Sequence, residues 1–184
     1  GSTGRVPGAA RFAYAIADPG PAAAAAATIA AGRPGQRIVV VGGGFTGVET
    51  AAEVAERRPM TRVTLVTSGP LVPAMRPRAR RGIRSRLTRL GVTVEERDRV
   101  EAVDEAVLRF ADGTSLPFDV CLWTASFSVP DLAATSGLAC DAIGRLRVDE
   151  HLRSIDAPDI LGAGDAVRLP DSVGGHLRMG CAIA

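Results

Sequence analysis

Apolar and polar residues alternate along this chain in a pattern that changes period several times. Residues 1–35 are punctuated by Pro and Gly around an alanine run, from about Pro21 to Ala31, that reads as a helix by propensity and stops at "GRPG". From Gln36 the pattern becomes strand, glycine turn, helix, strand. "RIVVV" is a short buried β-branched run, and "FTGVETAAEVAERR" is a helix with Val48, Ala51 and Ala55 on one face. "RVTLVT" at 62–67 is the second strand, which completes a βαβ unit of about 30 residues. An Arg-rich segment follows with Ile83, Leu87 and Leu90 at helical spacing, and Gly91 stops it. "VTVEE" reads as a third parallel strand. The next stretch, "RVEAVDEAVLRFADGTSLPFDVCLWTA", alternates and turns at "DG", predicting a small antiparallel meander that leads into a buried strand at 118–123. Beyond Pro130 the pattern loosens to two short strands, "RLRVDEHLRS" and "PDILGAGDAV", the second ending in a glycine turn. No internal repeat is visible.

The glycines at the first strand–helix junction carry the candidate chemistry. Gly42, Gly44 and Gly47 stand in the G-x-G-x-x-G spacing. Gly42 allows a tight turn out of the strand, Gly44 lets the backbone approach a pyrophosphate, and Gly47 lets the helix pack against the sheet. The helix start then offers free N–H groups and the positive end of its dipole. A glycine pattern alone is weak; strand, helix and second strand in register make it a dinucleotide site. The acid that bonds a ribose 2′-hydroxyl at the end of the second strand is absent, because Thr67 and Ser68 occupy that place and no Asp or Glu lies between Glu56 and Glu95. Arg76, Arg78, Arg80 and Arg81 follow instead. Arginine forks suit a 2′-phosphate, so NADPH is slightly favoured over NADH while both stay open. Glu49, in the first helical turn, is explained by the helix dipole without any ligand.

Composition narrows the classes. The chain has 184 residues, enough for one domain or a small pair, and is 46% hydrophobic with 4% aromatics. Its core is therefore built from Val, Leu, Ile and Ala. A net charge of +2 argues against nucleic acid as a partner. All 22 basic residues are arginine, which reflects GC-rich codons. Cys121, Cys140 and Cys181 are too scattered for a redox pair or a zinc site, and scattered thiols fit a reducing cytoplasmic setting. No metal site, signal peptide or membrane-length apolar run is expected. The start "GSTGR" and the unstopped apolar end "HLRMGCAIA" read as the cut ends of a piece of a longer protein.

"VVVGGGFTGVETAAE" resembles the nicotinamide-binding motif of the pyridine nucleotide-disulfide oxidoreductase superfamily, the two-dinucleotide flavoproteins. The likeness is strongest to the branch of type II NADH dehydrogenases and apoptosis-inducing-factor-like reductases. The family's GGGxxGxE pattern is matched by Gly42, Gly43, Gly44, Gly47 and Glu49, with Phe45 and Thr46 between them. The resemblance puts Glu49 near the nicotinamide end of the cofactor. "LWTASFSVP" resembles the family's WTAGxxxxP segment; it places Thr124 and Ala125 at the site, while Ser126 stands where glycine is usual. "VDEHLRS…PDILGAGDAV" resembles the late flavin motif, in which Asp165, after Gly164, would bond the FAD ribityl chain. "GSTG" resembles the turn that precedes the nucleotide domain.

The resemblance implies an α/β fold: a Rossmann-like three-layer ββα/βα nucleotide-binding domain with a small antiparallel meander. It divides the chain into a flavin-domain remnant and linker helix at 1–33, the NAD(P)H-binding domain at 34–126, and an incomplete returning FAD segment at 127–184. The implied activity is that of an FAD-dependent NAD(P)H oxidoreductase, with NAD(P)H bound here and FAD bound by the full-length protein. A quinone is the acceptor favoured by the closest branch; ferredoxin or a disulfide is also open, and peripheral membrane association would belong to the full-length protein only. The cofactors carry the chemistry, and no side chain stands out as an acid–base catalyst. His151 and His176 read as surface residues and Cys181 as a packed thiol. The rival is a non-catalytic NAD(P)H-sensing module, which a yellow full-length protein bleached by NAD(P)H would exclude. An ordinary single-domain dehydrogenase lacks a candidate Tyr-x-x-x-Lys, since the chain has no lysine.

Overall fold

The computed structural model describes residues 6–125, 129 and 131–173. Contacts divide the chain into two compact units, Gly1–Ser126 and Phe127–Ala184. The first unit is built on a parallel sheet of five strands in the order β1-β8-β2-β3-β4. These are β1 (Tyr14–Ala15), β2 (Arg37–Val41), β3 (Arg62–Thr67), β4 (Thr93–Glu96) and β8 (Val120–Trp123). Their register runs Val41 beside Val66 and Val41 beside Trp123, so β2, β3 and β8 end at one edge. Helices α1 (Ala9–Phe12), α2 (Pro19–Ala30), α3 (Phe45–Arg57) and α4 (Pro77–Arg89) belong to the same unit. The meander β5 (Val100–Val103), β6 (Val107–Phe110) and β7 (Ser115–Pro117) forms an antiparallel three-stranded sheet.

Strand alternation separates two cores. Ile38, Val40, Val63, Leu65, Val120 and Leu122 pack with Ala25, Ile29, Ala51, Ala55 and Leu87 from the helices. Val39, Val41, Val66, Cys121 and Trp123 point the other way, into a core with Val103, Leu108, Phe110 and Phe118 of the meander layer. Helices, sheet and meander therefore form three layers, as the sequence predicts. The central strands are buried on both faces, which is why "RIVVV" carries no polar alternation. Each large aliphatic side chain removed from water there contributes about 1.5–3 kcal/mol.

Local chemistry fixes the ends of the elements. α2 begins earlier than propensity alone suggests, because Asp18 caps Gly20 N–H and Pro19 takes the first helical position. α4 ends in a Schellman motif: Gly91 has φ +81, its N–H donates to the Thr88 carbonyl, and Val92 N–H donates to that of Leu87. The "DG" turn holds as read, with Gly113 at φ +81 and the Asp112 carboxylate accepting from Thr114 N–H and its hydroxyl. Two elements escape the pattern. α1 is a single turn, and β1 is a two-residue strand at the sheet edge paired with β8.

The second unit contains α5 (Leu132–Thr135) and two short parallel strands, β9 (Leu146–Arg147) and β10 (Val167–Arg168). Both are shorter than the sequence predicts. The Asp149 carboxylate accepts the N–H groups of His151 and Arg153 and folds the first segment into a turn, with Leu152 at φ +65. In the second segment the glycine turn precedes the strand instead of ending it, with Gly164–Ala166 as one 3-10 turn before Val167. Among the described residues, the unit's buried hydrophobic cluster is Leu146, Val148 and Val167.

Candidate dinucleotide site

The C-terminal edge of the parallel sheet is where open α/β folds bind ligands, at the point where strand order reverses. Here the chain leaves β2 towards β3 and β4 on one side, while β8 lies on the other. The glycine turn at 42–44 sits at that reversal. Gly42 has φ +127, a conformation that side chains strain to adopt, and a Cβ there would stand 2.6 Å from the Thr124 hydroxyl. A Cβ on Gly47 would overlap the Gly42 carbonyl and stand 2.9 Å from the Thr124 hydroxyl. A Cβ on Gly43 would overlap the Thr67 side chain. Gly44 differs from all three: nothing lies within 4 Å of the place a Cβ would take. Three of the four glycines are thus required by packing, and Gly44 faces open space.

α3 starts directly behind this turn. Gly44 is its N-cap and no side chain caps it; its first turn holds no acid, because Glu49, expected there from the sequence, is the fifth helical residue and lies one position beyond it. The leading N–H groups and the dipole are free to meet an anion. Phe45, at the first helical position, is 45% exposed, and Thr46 and Glu49 are exposed beside it. Thr124 closes the other side: its N–H and hydroxyl both donate to the Val41 carbonyl at 2.9 Å, and half-buried Ala125 follows. The residues present fit the pyrophosphate of a dinucleotide, because an open glycine, an uncapped helix and a wall from β8 converge on one edge.

The ribose position is built differently from an NAD-type site. Thr67 is buried, and its hydroxyl donates to the Gly69 carbonyl at 2.9 Å while its side chain packs beneath Gly43. It forms the floor of the turn. Ser68, next along, is exposed. Arg76 is the exposed N-cap residue of α4, and no acid occupies that helix's first turn. Among the described residues, the ion pairs from α4 are Arg84 with Glu96 and Arg86 with Glu56. Arg76 and Arg78 therefore stand at the positive end of a helix dipole with no acid in its first turn, and Arg80 and Arg81 follow directly.

Gly164 and Asp165 lie exposed on the 3-10 turn of the second unit, with Gly164 at φ +74. A depression of about 590 Å³ in that unit is lined by Arg147, Asp149, His151, Arg168 and Asp171 among others, and includes none of the glycine-turn residues. His151 is exposed, with Nε2 3.8 Å from Glu150. Burial pushes the Cys121 thiol up to about 12, so it stays protonated in the core. No cluster able to hold a metal occurs among the described residues. "GSTG", Ser126, His176 and Cys181 lie outside the described residues. Sequence reasoning missed Leu71 and Val72, both buried in the loop between β3 and α4. No local signal marks that loop as part of the site.

Sheet order, glycine turn and uncapped helix define a Rossmann-like nucleotide-binding protein. More narrowly, this chain belongs to the pyridine nucleotide-disulphide oxidoreductase family, which matches residues 5–180. It is 34% identical over 164 residues to an NADH dehydrogenase-like protein of Mycobacterium tuberculosis, covering 83% of this chain and 39% of that protein. It is 29% identical over 143 residues to the demethylphylloquinone reductase of Synechocystis, covering 75% of this chain and 35% of the other. Reduced Bacillus anthracis CoADR-RHD shares the fold with a TM-score of 0.75 at 24% identity, over 90% of this chain and 30% of that one. The chain thus spans under two fifths of the length of these curated relatives.

Proposed function

We propose that this chain is the nicotinamide-dinucleotide-binding part of an FAD-dependent NAD(P)H oxidoreductase of the NADH dehydrogenase-like kind. The observation that carries the reading is Gly44, open to solvent at the uncapped start of α3 and at the reversal of strand order. The bound cofactors supply hydride and electron transfer. The chain's residues bind and orient: Gly42 to Gly47 seat the pyrophosphate, Thr124 and Ala125 wall the pocket, and Phe45, Thr46 and Glu49 line the nicotinamide side. Gly164 and Asp165 are the contribution to FAD, whose remaining contacts belong to the rest of the protein. A quinone is the favoured acceptor, supported by the likeness to a demethylphylloquinone reductase. Among the described residues no helix is long and apolar enough to cross a membrane. A cytoplasmic setting fits the scattered cysteines.

The dinucleotide is NADPH in preference to NADH. Thr67 offers no carboxylate to a 2′-hydroxyl, and the arginines from Arg76 to Arg81 suit a 2′-phosphate. Titration of the chain with NADH and NADPH, before and after Arg76→Ala, tests both statements. NADPH is expected to bind about tenfold more tightly, with most of that difference gone in the variant, because a charged hydrogen bond contributes about 1.5–3 kcal/mol. Failure to bind either cofactor overturns the dinucleotide reading. Equal affinities, unchanged by the substitution, overturn the 2′-phosphate assignment alone.

A further inference from the structure

We propose that Val72 is a positioning residue that locks the Gly43–Gly44 peptide in its ligand-facing orientation; this rests on the dinucleotide reading above. Val72 lies in the loop between β3 and α4 and is 1% exposed. Its φ is +45. A β-branched side chain is strained in that left-handed region, and such strain persists only where surrounding contacts over-determine it. Two contacts do so here. The side chain packs into the helix-side core together with its neighbour Leu71. Its N–H donates to the Gly43 carbonyl at 2.7 Å. The Val72 carbonyl, in turn, accepts from Met75 N–H at 2.9 Å, which fixes the approach to Arg76.

The consequence for the glycine turn follows from peptide geometry. In a trans peptide the C=O of one residue and the N–H of the next point in opposite directions. Holding the Gly43 carbonyl towards Val72 therefore turns the Gly44 N–H away from it, towards the side where Gly44 faces open space. A peptide flanked by two glycines would otherwise flip at little cost, because neither residue has a Cβ to bias φ. A flipped peptide would present a carbonyl oxygen to the pyrophosphate in place of a donor. The strained valine thus prevents a repulsive orientation at the one glycine of the turn that packing leaves free. It also joins the phosphate-facing turn to the arginine-bearing segment in one hydrogen-bonded unit.

The test removes the donor and keeps the side chain: the α-hydroxy analogue of valine at position 72 turns the amide into an ester. NADH, NADPH and ADP are titrated into the parent chain, the ester form and a control ester at position 92, which removes the Val92 N–H bond to the Leu87 carbonyl, with circular dichroism confirming that each is folded. The position-72 ester is expected to bind all three ligands about tenfold more weakly, since each carries the diphosphate. The Gly44 amide resonance, shifted by ADP in the parent, should no longer respond in that ester. The position-92 ester removes a bond at the far end of α4 and leaves the Val72 N–H in place, so its affinities should stay within about threefold of the parent. A position-72 ester that binds like the parent, or a position-92 ester that loses as much affinity as it does, overturns the role assigned to the Val72 N–H. A parent chain that binds none of the ligands overturns the dinucleotide reading and this proposal with it.

Discussion

At the scale of single residues, the four glycines from Gly42 to Gly47 divide by what an added methyl group would meet. Gly44→Ala enters open space at φ −77, so stability should stay within about 1 kcal/mol of the parent. On the proposed seat its dinucleotide affinity should nevertheless fall about tenfold or more, because the methyl would take space assigned there to the pyrophosphate. Gly47→Ala has the opposite character. Its methyl would overlap the Gly42 carbonyl, costing about 1–3 kcal/mol and lowering the melting midpoint by several degrees. Thermal melts and cofactor titrations on the two variants separate these effects; similar losses in both measurements for both variants would refute the division. The roles of Gly42 and Gly47 were legible in the sequence, since tight turns and close helix packing impose a spacing. Val72 was not. Valine is among the residues least expected at positive φ, and only the fold brings its N–H against Gly43.

Among the elements, β2 and β8 are joined at their starts as well as along their lengths. The Asp119 carboxylate accepts the Arg37 N–H at 2.7 Å and its guanidinium Nη2 at 2.7 Å, while Asp119 N–H donates to the Arg37 carbonyl at 2.8 Å. The Arg37 side-chain and backbone hydrogen bonds hold Asp119 down to about 2. A carboxylate whose pKa is lower folded than unfolded stabilises the fold above its unfolded value, near 3.9, and loses that contribution as pH falls towards 2. Both partners are partly solvated, so the contribution is about 1 kcal/mol. Asp119→Asn should lower stability by that amount at pH 7 and by much less at pH 2, read by urea unfolding; equal losses at both pH values would show that the charge is irrelevant. Short β-branched runs revealed β2 and β3, and helical spacing revealed α3 and α4, because each is long enough to show its pattern. The two residues of β1 and the single turn of α1 hold no period to read. The second-unit strands were overestimated because Asp149 turns the chain where hydropathy alone suggests extension.

Across the whole molecule, the described residues of the two units differ in how much core they bury. The first has two clusters on opposite faces of one sheet, whereas the second buries Leu146, Val148 and Val167. Amides of β9 and β10 should therefore exchange with solvent about 100-fold faster than those of β2 and β8 by hydrogen-exchange mass spectrometry; comparable protection would refute this. The sheet order carries a consequence for biosynthesis. β8 inserts between β1 and β2, although most of the first unit's sequence separates it from both. As the chain emerges from the ribosome, βαβ formation can begin with residues 37–67, but Thr124, which closes the glycine turn, is made near the end of the unit. Until then β2 has one exposed edge and the turn lacks a wall. A dinucleotide present during translation thus meets a complete seat only after the whole first unit has left the exit tunnel, and could stabilise this unit only from that moment.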